Sequence, residues 1–314
     1  MKILEFLNSI ENKTNRLVEE RGLAAIPHRE IVDKILRFCQ RKSSSLKNGQ
    51  SITFIVPPIV VKSIDIVKRL EIEVTITDAT SDKSLNGSGK VELGDVVGWE
   101  NNKIDYAKIT IKGFSYNGVL FDRTILSSLY HELNHLYDFW QDLSKSGNLN
   151  RSGKTLQKAG DRKRCEITLN KTTNDLIHEI VYRLFSETEF NALVANTYGE
   201  LQGMNSVRQN FKNDIQKTKP YIIYNGLKNR LSSIRNSILK VPNGIQNLKQ
   251  YLEENGIFLT PYDNSDNAYL KEFFRKTTYL LKRLYKKIGK TASLYYDTVE
   301  FNYPSNNKIS TKWS

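Results

Sequence analysis

The stretch Tyr130-His131-Glu132-Leu133-Asn134-His135-Leu136-Tyr137 sets two histidines four residues apart around a glutamate. On a helix that spacing leaves the rings about 40° apart around the axis, so both can reach one cation. Glu132 projects beside them and can accept a proton from water polarised by that cation. His131 and His135 are therefore candidate metal ligands and Glu132 a candidate general base, in the H-E-x-x-H pattern of zinc sites. The neighbouring residues agree. At about 100° per residue, Leu126, Leu129, Leu133, Leu136 and Trp140 fall on one side of the helix. His131 and His135 fall nearly opposite, flanked by Ser127, Ser128, Asp138 and Asp142. Core histidines would stand within the leucine stripe, and a plain surface helix would leave Glu132 without a reason. The expectation is a helix that buries its leucines and turns its histidines toward a polar cleft.

Upstream of this helix, the chain reads as strands. Residues 52–56 form a β-branched run ended by Pro57-Pro58, and residues 71–77 alternate through Ile72, Val74 and Ile76. Residues 78–98 carry four glycines and read as a long loop with a short strand at 91–93. Residues 106–112 alternate again through Ile109 and Ile111, and a turn at 113–118 closes the run. Asp122 is then placed to cap a helix extending to about residue 143. Residues 1–41 look helical, with an interruption at 22–27, and 43–50 are a polar break. Beyond a polar, basic loop at 144–165, nearly everything from Thr172 reads as helix. Breaks fall near Ser186, Gly203, Pro220, Pro242 and 256–261, and the longest helix covers 267–288. The predicted class is α+β. Residues 1–150 would form a lobe with the sheet and the histidine helix, and residues 151–314 a helical lobe.

Composition narrows the function. Hydrophobic residues make up 39% and charged residues 26%, and no window approaches the roughly eighteen apolar residues of a membrane span. The opening segment mixes Glu5, Glu11, Lys13 and Arg16 among apolar positions, unlike a signal peptide, which predicts a soluble cytoplasmic protein. Cys39 and Cys165 are far apart and outside any C-x-x-C spacing, so neither a disulfide framework nor a thiolate metal site is expected. The net charge of +13 raises the question of nucleic acid. The densest basic patch, 151–164, has no recognition motif around it and reads as a solvated loop.

A catalytic zinc takes three protein ligands and keeps one open position. The extension that would supply a third histidine six residues after His135 is absent; Asp138 and Gln141 stand at the relevant positions. The segment Ser186-Glu187-Thr188-Glu189-Phe190-Asn191-Ala192, together with the H-E-x-x-H motif, resembles the gluzincin branch of zincin metallopeptidases, to which thermolysin-like enzymes belong. In that branch a second helix supplies a glutamate from an E-x-x-A or E-x-x-x-D pattern, and Glu189 with Ala192 fits the first form. The resemblance, which covers about residues 105–200, implies Zn²⁺ held by His131, His135 and Glu189, with Glu132 as base in cleaving a protein or peptide substrate. It also implies an antiparallel edge strand beside the histidine helix, a role suited to residues 106–112. Leu193 departs from the pattern where an acid is usual, which leaves Asp138 or Asn196 to support a ligand. The segment Asn191-Ala192-x-Val194-Ala195-Asn196-x-Tyr198-Gly199-Glu200-Leu201 is similar to zincin-like proteins of gut bacteria and their phages, which makes a virion location an alternative to the cytoplasm.

Rival readings stand beside this one. Ser186 and Glu189 also form a capping box, in which the glutamate only satisfies a helix start. Glu187 and His178 are alternative third ligands, although Glu187 falls about 200° around the helix from Glu189. The oxyanion-stabilising residue that gluzincins add could be Tyr182, Tyr198, Arg283 or Tyr285. A structural or assembly protein on a zincin scaffold is the second functional reading, suggested by the basic excess and the large helical half. Nucleic-acid binding ranks last.

Overall fold

The computed structural model describes residues 29–47, 49–57, 67–79, 87–93, 96–97, 103–146 and 165–302. The helix expected before residue 29 and the basic patch at 151–164 lie outside these residues. The class is α+β, as the pattern of periods implied.

The first part is a mixed sheet. Strands β1 (Ser51–Ile55), β2 (Val67–Asp78), β5 (Lys103–Tyr116) and β3 (Ser88–Leu93) lie in the order β1-β2-β5-β3. The short strands β4 (Val96–Val97) and β6 (Val119–Leu120) also pair with β5. Strands β2 and β5 are parallel, with Ile72 opposite Ile109 and Val74 opposite Ile111; the other pairs are antiparallel. The period of two decides the faces. Leu70, Ile72, Val74, Ile76, Ala107, Ile109 and Ile111 are buried on one side. On the other, Lys108 bridges Glu73 at 2.9 Å and Glu71 at 3.5 Å.

One strand expectation needs correction. Residues 106–112 are not an edge: β5 is paired on both sides, by β2 and by β3. A parallel pair needs a crossover between its strands, and part of that crossover, β3, adds to the far side of β5 and becomes the edge. Its sequence, SGKVEL, has only Val91 half-buried among the positions where burial is described, so alternation barely marks it. Strand β5 also runs to Tyr116, past the expected turn. Gly113 is a close-approach residue within the strand: a Cβ there would lie 2.2 Å from Ile125 Cδ1. The turn itself is Asn117-Gly118, both at positive φ (50° and 76°), as a tight hairpin requires.

The helices follow α1 (Arg29–Ser43). They are α2 (Asp122–Ser146), α3 (Lys171–Glu179), α4 (Glu187–Gly203), α5 (Phe211–Lys217), α6 (Lys219–Leu239), α7 (Gly244–Glu254) and α8 (Asp266–Asn302). A π-helical turn, Ile180–Leu184, joins α3 to the approach to α4. Asp122 is the first residue of α2, and its carboxylate accepts from Gln40 Nε2 of α1 at 3.0 Å. Pro220 falls in the first turn of α6, where its missing N–H costs nothing, so the break precedes it at Thr218. Helix α8 continues past residue 288 to Asn302.

Helix α2 lies between the sheet and α4. Gly113 admits Ile125 on the sheet side. On the other side, a Cβ at Gly199 would lie 2.6 Å from Leu126 O, and one at Gly203 2.5 Å from Arg123 Cα. The two helices therefore touch at the backbone, and the pairing of 203 with 123 and 199 with 126 makes them antiparallel. Arg123 fixes this end through Glu200 (2.6 Å) and the Lys217 carbonyl. Helix α4 is buried on nearly every side from Glu189 to Leu201. Helix α8 covers its outer face, where Tyr295 meets Tyr198 at 5.4 Å and Lys287 donates to Asn191 at 2.9 Å. Among the described residues no helix is long and apolar enough to cross a membrane.

Candidate metal centre

The four leucines of α2 whose burial is described are buried, as the wheel requires. The histidine face does not look onto an open cleft. His135 is 3% exposed and His131 15%, because α4 closes over them. Glycine at 199 and 203 is what lets α4 come so near. The histidines point at Glu189 of α4, and Glu132 lies against strand β3: a Cβ on Gly89 would sit 2.7 Å from Glu132 Oε1.

Three side chains from two helices converge there. His131 Nε2 and His135 Nε2 are 3.2 Å apart. The Glu189 carboxylate straddles them, Oε2 at 3.6 Å from His131 Nε2 and Oε1 at 3.5 Å from His135 Nε2. Among the described residues this is the one cluster of three metal-ligating side chains. Ligand atoms at the corners of a tetrahedral zinc site, with bonds of about 2.0–2.1 Å, stand about 3.3–3.4 Å apart. The histidine nitrogens stand near that value, and with one carboxylate oxygen taken from Glu189 the three ligand atoms lie within 4.8 Å of one another. Glu189 Oε2 is buried without a hydrogen-bond partner, an expensive state that a cation would relieve. The residues present could hold a metal ion.

Glu189 is held from behind by Tyr182, whose hydroxyl donates to Oε1 at 3.0 Å. Tyr182 sits on the π-helical turn, a local widening that re-aims side chains. Its ring stacks on His178 at 6.0 Å, and His178 Nδ1 lies 2.9 Å from the Tyr251 hydroxyl.

Burial dominates the electrostatics. The Glu132 carboxyl is pushed up to about 8, first by desolvation and then by the negative charge of Glu189. Desolvation also lowers His135, against the opposing pull of Glu189. His131 is held well below the usual histidine range by burial, then by His135, Arg183 and Lys219; Asn196 works the other way. Both rings are thus neutral near pH 7, which is the form that binds metal. The Nδ1 atoms of both rings and Asn196 Oδ1 are buried without a hydrogen-bond partner among the described residues. Of the two proposed supporting residues, Asn196 is the one beside His131, whereas Asp138 accepts from Asn134 at 3.2 Å.

The rivals separate cleanly. Glu187 is exposed and faces Arg283 at 3.5 Å. His178 is engaged with Tyr251, away from the cluster. Ser186 does stand at the N-cap of α4, but its hydroxyl pairs with Thr188 at 3.2 Å, and the Glu189 carboxylate turns to the histidines. Among the four oxyanion candidates, Tyr182 touches the cluster. Tyr198 is packed between Tyr130 and Tyr295, Arg283 lies over Phe190, and Tyr285 is against Tyr224. Gly89, Arg183 and Lys219 gave no site signal in the sequence.

No family model, curated protein or solved structure matches the chain. The geometry of the cluster therefore carries the functional argument.

Proposed function

We propose that the chain is a zinc-dependent hydrolase of peptide bonds. One observation carries the reading: His131, His135 and Glu189 bring three ligand atoms within 4.8 Å of one another, with the Glu132 carboxyl on the histidine helix and beside strand β3. A zinc ion held by the three ligands supplies Lewis acidity and lets water ionise near neutrality.

The chain's own residues would do the rest. With the cation's charge beside it to favour the ionised form, Glu132 would accept the proton of the attacking water on its carboxylate and return it to the leaving nitrogen. Absence of a side chain at Gly89 leaves space for that carboxylate. Tyr182 fixes the orientation of Glu189. Strand β3, which among the described residues pairs only with β5, offers backbone N–H and C=O groups to which an extended peptide can add as a further strand. A purely structural role gives no reason to bury a carboxyl at Glu132 next to Glu189, an arrangement that costs stability.

The test combines metal analysis with cleavage of a mixed peptide library. The expected result is about one zinc per chain and library cleavage that Glu132→Gln abolishes. Absence of zinc, or cleavage unaltered in Glu132→Gln, would reject the reading.

A further inference from the structure

The basic excess of the chain is concentrated in two stretches. Residues 215–252, which include α6, carry seven cations and no acid, and residues 273–296 of α8 carry seven more and no acid. The net charge of the whole chain is +13, so everything outside the two stretches is close to neutral. Within α8 the cations recur at four-residue spacing, Lys282 with Lys286 and Lys286 with Lys290. Like charges so placed repel along a helix, and an anion laid across them relieves the repulsion.

The two helices meet side by side. Tyr224 of α6 and Tyr285 of α8 have ring centroids 5.0 Å apart. Lys228, one turn after Tyr224, holds its ammonium 5.6 Å from the Tyr224 centroid. On α8, Lys282 falls between Tyr279 and Tyr285 around the helix axis, and Lys286 follows one turn later. The rings reach the surface: Tyr279 is 58% exposed and Tyr285 45%. Lys228, Lys282 and Lys286 are exposed as well, and among the described residues none of the three forms an ion pair. The face is a row of unneutralised cations with aromatic rings between them.

That combination selects among anionic partners. A membrane surface takes up a helix by its apolar face, but the apolar face of α8, with Phe273, Leu284 and Ile288, is buried in the core. An acidic polypeptide matches the cations and leaves the exposed rings unmatched. A duplex read by α8 needs that helix inside the major groove, and α8 is instead packed on α4 and α6. A single strand uses both features, its phosphates along the cations and its bases stacked on the tyrosines. We propose that the face shared by α6 and α8 binds single-stranded nucleic acid without base specificity. The inference does not depend on the hydrolase reading.

The full chain is titrated into a fluorescein-labelled oligothymidylate of about sixteen nucleotides, the upper site size of one single-strand-binding module, and anisotropy is read at several salt concentrations. Binding should weaken as salt rises. Replacing Lys228, Lys282 and Lys286 together by Gln should weaken it about tenfold or more at low salt. The slope of log affinity against log salt should fall by about 2, the value for three single-strand phosphate contacts. Replacing Lys34, Lys47 and Lys112 by Gln, all exposed and outside both stretches, removes the same charge and should leave the slope near that of the wild type. Tyr279→Ala should lose about tenfold with the slope unchanged, and Tyr279→Phe should bind like the wild type, as stacking on the ring requires. Melting temperatures show that the variants are folded; if the first triple variant melts early, Lys282→Gln alone decides, with a slope lowered by about 0.7. No binding at low salt, equal losses in the two triple variants, or full affinity in Tyr279→Ala overturns the proposal. Tighter binding to the annealed duplex, or capture by phosphatidylserine vesicles without binding to the oligonucleotide, also overturns it and assigns the face to a duplex or a membrane.

Discussion

The Tyr182 hydroxyl donates a 3.0 Å hydrogen bond to Glu189 Oε1, the oxygen that faces His135. Such support from behind a ligand typically contributes tenfold to hundredfold in metal affinity. Tyr182→Phe should fold normally and weaken zinc about tenfold, read by competition with a chelator of known affinity. Unchanged affinity would show that the hydroxyl does not position the ligand.

Glu189→Ala should abolish tight zinc binding, because the two histidines alone leave an incomplete site. Glu187→Ala, at an exposed position that faces Arg283, should bind zinc like the wild type. Zinc content after dialysis measures both. Equal retention by the two variants would remove Glu189 from the site.

Glu132 gives a pH prediction for the metal-free protein. Its folded pKa of about 8 lies above the ordinary value of 4.5, so the folded state binds more protons than the unfolded state between those values. Its contribution is fully present below about pH 4.5 and is lost as pH rises through about 8. Glu132→Gln lacks this dependence. The variant should therefore gain on the wild type from pH 5 to pH 8, by on the order of a few kcal/mol. Chelator-treated samples unfolded in urea at several pH values report the gap, and a constant gap would contradict the assigned burial.

The glycines differ by what they touch. Gly199→Ala drives a Cβ into the backbone of Leu126 and should cost about 1–3 kcal/mol. Gly226, inside α6 with nothing within 4 Å of where a Cβ would stand, should accept alanine with a gain of up to about 1 kcal/mol. Thermal unfolding of the two variants tests the contrast, and loss of stability in both would refute the open space at Gly226.

Gly89→Ala places its Cβ 2.6 Å from Glu132 Cγ. The carboxylate must move, whereas the exposed edge strand need not. Hydrolysis should fall at least tenfold with little change in melting temperature, since small displacements at a reacting group are costly. Full activity in the alanine variant would show that Glu132 does not need its place beside β3.

Periodicity alone determined the elements on which the site is built. Four-residue spacing put His131 and His135 on one side of a helix, and alternation through Ile72, Val74, Ile109 and Ile111 marked the sheet. These are local properties, decided by the 3.6- and 2-residue repeats that each element imposes on its own chain. Glu189 was a candidate in the sequence too, through a short pattern with a small residue at 192. Tertiary structure decided which strand is the edge, because pairing partners depend on residues far apart in sequence. Strand β3 is weakly patterned, and β5 claims the interior by pairing along both sides. It also decided that the histidines are buried, since only the close fit of Gly199 and Gly203 against α2 brings α4 over them.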